Sequence, residues 1–491
     1  MPRAPFPQNH FLRRLGAELG YVNTDLNEGA VPAETGATGI RRVSFHTLGC
    51  KLNRSETDAL AAQFAARGYQ IVPFRQPADL AVINTCTVTG EADAKSRQAI
   101  RQAVDQSRAT RVAAMGCYTQ MHPQEAAGLE GIDLLLGTRN KFELIDLLPE
   151  LERRPAGAPL VRITPTGEDR VFDEAPSISA TDRTRAALKV QDGCDYACTY
   201  CIIPAARGVS RSRPLADCLA EARELVQRGY REIVLTGVNL GAWTAGNLVF
   251  DDLLEAVSNV AGLRRIRISS IEPNLITERT LQLLADRENI CHHLHLPLQH
   301  ASDRILGAMR RRYSFADYRR KVDRAVELLP DVAIGADVMV GFPGENAEDF
   351  EALAQALADL PNSYYHIFRY SERAGTLATA LAGSVDPRVR RERAQVLREI
   401  ALEKQRAFAR RFVGQTRTVY FESRTGEGRW SGLTGNYLRV LVSSSDDMAA
   451  QLRPVALLRE SGGSLHGALL QGTLSRGASL PGASLPGTVA A

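Results

Sequence analysis

Between residues 183 and 370, short apolar runs alternate with stretches of helical period. The runs are "AALKVQ" (186–191), "EIVLTG" (232–237), "RIRISS" (265–270), "HLHLPLQ" (293–299), "IGADVMVGF" (334–342) and "YYHIFRY" (364–370). Apolar runs separated by helical patterns predict βα units and a parallel sheet, and six such units predict a (β/α)6 partial barrel. The N-terminal part shows the same pattern in "RVSFHTLGCKLN" (42–53), "DLAVINTCTVT" (79–89) and "RVAAMGCYTQ" (111–120). Each run there ends in a cysteine and is followed by a helical pattern, one of them expected from Asn53 with Glu56 three residues on, as in a capping box. The class is therefore α/β, with an N-terminal parallel α/β domain. A helical stretch at 386–411 precedes "GQTRTVYFES" (414–423), "RWSGLTGNYLRVLVSS" (429–444) and "QLRPVALLRE" (451–460), which read as short strands with Gly-containing turns.

Composition changes this picture little. At 491 residues, with 44% apolar and 24% charged positions, the chain is long enough for three or four ordinary globular domains. A formal net charge of only +4 places any nucleic-acid affinity in local patches. One such patch is 386–411, where nine basic residues face four acidic ones; i,i+4 pairing on a solvated helix face accounts for it equally well. No run of 18 apolar residues is present, so no membrane contact is expected. The first twenty residues show no signal peptide, and a cytoplasmic location is expected.

The cysteines carry the chemistry. Cys194, Cys198 and Cys201 stand as C-x3-C-x2-C in "KVQDGCDYACTYCIIPAARG" (189–208). A structural zinc site normally needs a second C-x2-C knuckle or a His pair, and the chain has no second knuckle. A disulfide cannot use three thiols evenly. The remaining reading is an iron–sulfur cluster with three thiolate ligands and one open iron. Cys50, Cys86 and Cys117 each end an apolar run. A parallel sheet puts the ends of neighbouring strands beside one crevice, so three thiols far apart in sequence meet in space, as a second three-ligand cluster or as buried core thiols. Cys218 and Cys291 read as structural thiols.

C-x3-C-x2-C with an aromatic before the last Cys resembles the signature of radical S-adenosylmethionine (SAM) enzymes. The resemblance implies that Tyr200 lies beside the adenine of SAM, and that Thr236, Gly237, Glu272 and Gly341, at strand ends, are SAM contacts. Two three-cysteine sets together resemble the methylthiotransferases of that superfamily, over roughly residues 40–470. This implies two 4Fe–4S clusters, SAM as both methyl and radical source, an electron donor such as flavodoxin or ferredoxin, and a sulfur donor. "TLGCKLN", "NTCTVTGEADAKSRQAIR" and "QDGCDYACTYCIIPAARGVSRSR" are similar to the branch acting on N6-threonylcarbamoyladenosine in tRNA. The isopentenyladenosine branch reads closer to "YGCQMN" and "NTCSIR" there. One departure is "PLQHASD" (297–303), where the family more often has Ser-Gly after the Gln.

The C-terminal strands resemble the TRAM domain, a small RNA-binding β-barrel. This implies contacts to the tRNA anticodon stem-loop from Trp430, Asn436, Tyr437 and Arg439, with Arg207, Arg211 and Arg213 in "ARGVSRSRP" meeting phosphate near the cluster. The expected organisation is a mobile extension (1–38), an N-terminal methylthiotransferase domain (39–151), a linker (152–182), the radical SAM domain (183–411), a TRAM-like domain (412–472) and a disordered tail (473–491). An RNA-binding scaffold with purely structural iron–sulfur centres is the alternative from another class.

Overall fold

The computed structural model describes residues 39–106, 111–153, 157–167, 170–172 and 184–470. The extension at 1–38, the tail at 473–491 and most of the linker at 152–182 lie outside the described residues. The chain separates into two compact units, dividing between Ala401 and Leu402, inside the helix Pro387–Arg410.

The first unit opens with a six-stranded sheet: β1 (Arg42–Thr47), β2 (Gln70–Val72), β3 (Leu80–Thr85), β4 (Arg111–Gly116), β5 (Leu134–Leu136) and β6 (Leu160–Arg162). The order is β2-β1-β3-β4-β5-β6, with every pairing parallel. Strand periodicity sends alternate side chains to opposite faces. Leu80 and Val82 pack with Val43, Leu60 and Phe64 on one face, while Ala81 and Ile83 pack with Val112, Ala114 and Ile100 on the other. Both faces are covered, which is why β3 is buried along its whole length.

Next come β7 (Arg185–Lys189), the two-residue pair β8 (Gln191–Asp192) and β9 (Arg211–Ser212), β10 (Glu232–Thr236), the small hairpin β11 (Thr244–Ala245) and β12 (Leu248–Val249), β13 (Arg265–Ile268), β14 (His293–His295), β15 (Ala333–Val340) and β16 (Tyr364–Arg369). Two parallel three-stranded sheets form, β13-β10-β7 and β14-β15-β16. Parallel bridges Ile266↔Ile290 and Ser270↔His295 join them. The six main strands thus run in chain order, with helices between them, as the apolar runs predict. One core spans the strands and their helices, from Leu188 and Trp243 to Leu353 and Leu397.

The second unit is a closed antiparallel-rich barrel of β17 (Thr416–Arg424), β18 (Trp430–Thr434), β19 (Arg439–Val442), β20 (Leu452–Ser461) and β21 (Ser464–Leu469), ordered β17-β18-β19-β21-β20. Closure leaves no exposed strand edge. Val419, Phe421, Val440, Val455, Leu457 and Leu465 fill it. Among the described residues no helix is long and apolar enough to cross a membrane.

Candidate active site

One cysteine set stands at the carboxyl ends of parallel strands, and the other follows the parallel strand β7 by way of the short strand β8. Cys50 follows β1, Cys86 follows β3 and Cys117 follows β4, three neighbours in one sheet. β1 and β3 flank the point where the strand order reverses, where such sheets open a crevice. Gly49, at φ +90°, lets its loop fold over Cys86: a Cβ there would lie 2.7 Å from the Cys86 Sγ. Cys86 and Cys117 are buried, and Cys50 is open to solvent. Burial pushes the Cys86 thiol up to about 11, with Cys117 and Cys50 adding to the rise. Burial also raises Cys117, against the pull of Arg207 and Lys141.

The helix after Cys50 begins at Lys51 with Cys50 as its N-cap, two residues ahead of the Asn53 start expected. Asn53 and Glu56 do not form a capping box, because both are drawn into other bonds. The Asn53 amide donates to Leu48 O and Thr85 O, each at 2.9 Å, tying together the loops that carry Cys50 and Cys86.

Cys194, Cys198 and Cys201 occupy the loop after β8. Gly193, at φ +68°, cannot be replaced there, since a Cβ would sit 2.0 Å from Val209 O. Backbone bonds pin the loop: Cys194 N to Gly208 O at 3.0 Å, Thr199 N to Met309 O at 3.1 Å and Ala378 N to Thr199 O at 2.8 Å. Donors point at the sulfurs. Tyr196 N lies 3.4 Å and Asn239 Nδ2 3.8 Å from Cys194 Sγ, and an Arg311 guanidinium nitrogen lies 3.3 Å from Cys198 Sγ. Burial pushes Cys194 up to about 11 and raises Cys198 and Cys201 as well.

These features fit thiolates on a cluster: donors that stabilise sulfur charge at Cys194 and Cys198, and burial that keeps Cys86, Cys117, Cys194, Cys198 and Cys201 neutral unless iron takes them. Among the described residues no three His, Cys, Asp or Glu converge to share one metal ion. A cluster makes no such demand, because each thiolate binds its own iron.

The residues expected around SAM gather near the same strand ends. Tyr200 packs against Ile305, Met309, Phe342 and Tyr370, and its hydroxyl accepts from Arg311 at 3.4 Å. Glu272 is ion-paired with Arg311, and burial raises its carboxyl. Thr236 is buried with its hydroxyl bonded to Val234 O. Gly237 backs onto Gln191, whose Oε1 accepts from Asn239 N at 2.8 Å and whose amide binds Gly193 O at 2.8 Å. Gly341 N donates to Glu345 Oε2 at 2.7 Å. That carboxyl oxygen lies 3.5 Å from His300 Nε2, so the departure "PLQHASD" becomes a buried polar contact. Sequence reasoning missed Arg311, which joins Cys198, Tyr200 and Glu272; the run Arg310–Arg312 was its signal.

A larger omission lies between the two cysteine sets. Glu56 is fully buried and takes Lys141 Nζ at 2.5 Å, Lys189 Nζ at 2.9 Å and Arg207 at 3.0 Å. Asp192 takes Lys189 at 2.7 Å, Arg207 at 2.9 Å and Arg211 at 3.5 Å. The second Arg207 nitrogen reaches Asn53 Oδ1 at 2.7 Å. These cations hold the Glu56 carboxyl well below the usual range despite its burial. The network runs from the helix after Cys50 to the residue two before Cys194.

The burial of Arg207 and Arg211 within it also corrects two expectations. Arg207 is 1% exposed, with both terminal nitrogens engaged, so it does not meet phosphate. Arg211 is buried with Asp192 and Arg207 O, and Arg213 is ion-paired with Glu221. In the barrel unit, Trp430 is 6% exposed beneath the Arg424 guanidinium, and Asn436 is buried against Thr434. Neither offers a face to a base. Tyr437 is half-buried, and Arg439 is exposed, donating to Ser431 Oγ at 2.9 Å. Cys218 and Cys291 are buried.

A cysteine loop thus stands at the mouth of a parallel six-stranded partial barrel, beside a sheet that carries three thiols at neighbouring strand ends. The Radical SAM superfamily model matches residues 188–357, and that of the Uncharacterized protein family UPF0004 matches residues 42–137. The threonylcarbamoyladenosine tRNA methylthiotransferase MtaB of Bacillus subtilis (strain 168) is 38% identical over 426 residues, 85% of this chain and 94% of that protein. The protein of the same name from Aquifex aeolicus (strain VF5) is 40% identical over 403 residues, 81% of this chain and 96% of that one. The radical SAM methyltransferase TsrM from Kitasatospora setae, solved with cobalamin and a 4Fe–4S cluster bound, shares the fold at a TM-score of 0.51 and 17% identity, over 80% of each chain. The chain belongs to the radical SAM methylthiotransferase family, and its cofactors are SAM and 4Fe–4S clusters.

Proposed function

We propose that this protein converts N6-threonylcarbamoyladenosine, adjacent 3′ to the tRNA anticodon, into its 2-methylthio derivative. The carrying observation is the pair of three-cysteine sets at strand ends, joined by one buried ion network. The names of the relatives supply the substrate. Cys194, Cys198 and Cys201 would hold the radical cluster and Cys50, Cys86 and Cys117 the auxiliary one. When bound, the clusters supply the electron that cleaves SAM and an open iron that presents sulfur. The chain's own groups do the rest. Arg311, Asn239 and the Tyr196 amide stabilise thiolate charge. Tyr200, Thr236, Gly237, Glu272 and Gly341 line the SAM site, and Gln191 holds the cysteine loop to the end of β10. Burial of the loop keeps water from a reactive carbon.

The barrel unit, with Tyr437 and Arg439, grips tRNA, and the enzyme works in the cytoplasm with a flavodoxin- or ferredoxin-like reductant and a sulfur donor. Mass spectrometry of tRNA nucleosides from cells with and without the gene tests this. The methylthio form of threonylcarbamoyladenosine should vanish with the gene, leaving its precursor. Loss of methylthio-isopentenyladenosine instead would move the enzyme to the other branch, and no change in either would overturn the reading.

A further inference from the structure

The network between the cysteine sets carries an unbalanced charge. Among the described residues, the carboxylates paired with Lys141, Lys189 and Arg207 are Glu56 and Asp192, one fewer than the cations, and Asp192 is shared further with Arg211. Lys141 and Arg207 are 0% and 1% exposed. An uncompensated charge buried this deeply is costly unless an anion lies close by. The network reaches one side of the crevice directly. Arg207 and Lys141 both approach Asn53 Oδ1, at 2.7 and 3.5 Å, and the Asn53 amide holds the backbone on either side, at Leu48 O and Thr85 O. The helix that starts at Cys117 lies beside the helix Ile203–Arg207, and Arg207 and Lys141 are the cations felt at the Cys117 sulfur. At Cys198 the neighbouring cations are instead Arg311 and Arg312, and at Cys201 the neighbouring cation is Arg311.

We infer that Arg207, Lys141 and Lys189, balanced by Glu56 and Asp192, are the built-in counter-charge of the Cys50–Cys86–Cys117 site. They act as positioning residues that stabilise the more negative redox state of what those thiolates hold. The inference rests on the proposed ligand role of those three cysteines. Its chemistry is Coulombic: a fixed positive charge in a low-dielectric interior favours an added electron, and a fixed negative charge disfavours it.

The test is a redox titration of the full-length, anaerobically reconstituted protein, followed by electron paramagnetic resonance. Signals are assigned with the triple variant Cys194→Ala, Cys198→Ala, Cys201→Ala. Arg207→Gln and Lys141→Met should lower the midpoint potential of the auxiliary signal. At a fixed poise the oxidised-to-reduced ratio should rise by roughly tenfold, about 59 mV for a one-electron couple. Arg207→Lys, which keeps the charge, should restore the potential. Glu56→Gln, nearly the same shape, should shift it in the opposite direction. A structural role alone gives no reversal of sign between Lys141→Met and Glu56→Gln, nor rescue by charge. Unmoved potentials, or shifts of one sign in all variants, overturn the inference. Should Arg207→Gln fail to load iron, Lys141→Met and Arg207→Lys decide the outcome. If replacing Cys50, Cys86 and Cys117 leaves iron content unchanged, the ligand assignment itself fails. If iron falls but the potentials hold still, only the counter-charge is wrong.

Discussion

At the scale of the residue, Arg207 is where sequence and structure part. In "ARGVSRSRP" it reads as a cation waiting for phosphate. In the fold its guanidinium forks between Glu56, Asp192 and Asn53, from partners as far as 154 positions away in sequence. Nothing local announces such a partner; only the tertiary fold brings the helix after Cys50 against β7 and β8. The two roles predict different outcomes for Arg207→Ala. A surface phosphate contact can be removed with almost no change in stability. Removing one partner from a buried ion network typically costs about 3–5 kcal/mol, because the carboxylates left behind stay desolvated. Chemical denaturation of wild type and variant at matched iron content checks this. A transition midpoint unmoved by the substitution would return Arg207 to the surface.

At the scale of the element, the cysteine sets were legible for a physical reason. Apolar runs that end in Cys50, Cys86 and Cys117 mark strands covered on both faces, and parallel strands share one carboxyl edge; β1, β3 and β4 are indeed neighbours. The start of the next helix was misread, because the Asn53 and Glu56 pattern of a cap also serves inward-facing bonds. Trp430 and Asn436 were misread for a related reason. Their strand and turn were visible in the sequence, but which side of a closed barrel a residue faces depends on register, which one short strand does not reveal. The element-level assignment makes two linked predictions. With Cys194, Cys198 and Cys201 replaced by Ala, iron should fall from about eight per chain to about half, and SAM cleavage should cease. With Cys50, Cys86 and Cys117 replaced, SAM should still be cleaved to 5′-deoxyadenosine, while methylthiolated tRNA disappears. Iron analysis and chromatography of the nucleosides read both results. Full iron in the first variant, or wild-type product from the second, would contradict the division of labour.

At the scale of the whole molecule, the chain is two compact units with separate cores. The barrel closes its own hydrogen bonds from β17 through β20, and both cysteine sets belong to the other unit. Deleting residues 413–491 therefore removes a self-contained body rather than tearing a sheet. If that body grips tRNA, the truncated enzyme should keep its iron and its cleavage of SAM but lose most of its affinity for tRNA. A single stacked base is worth about 1–3 kcal/mol, so loss of the whole unit should weaken binding by roughly tenfold or more. Binding by the full chain should also fall steeply with salt, since each phosphate contact releases counterions, and the truncated chain should show a shallower slope. Filter binding of both proteins at two salt concentrations measures affinity and slope together. With Trp430 and Asn436 turned inward, Trp430→Ala is no test of stacking, since it would empty the barrel; Arg439→Ala, at the exposed first position of β19, is the point variant that should reduce the slope while leaving the fold intact. Equal affinity in the truncated and full-length chains would place recognition in the first unit and leave the barrel without a part in binding.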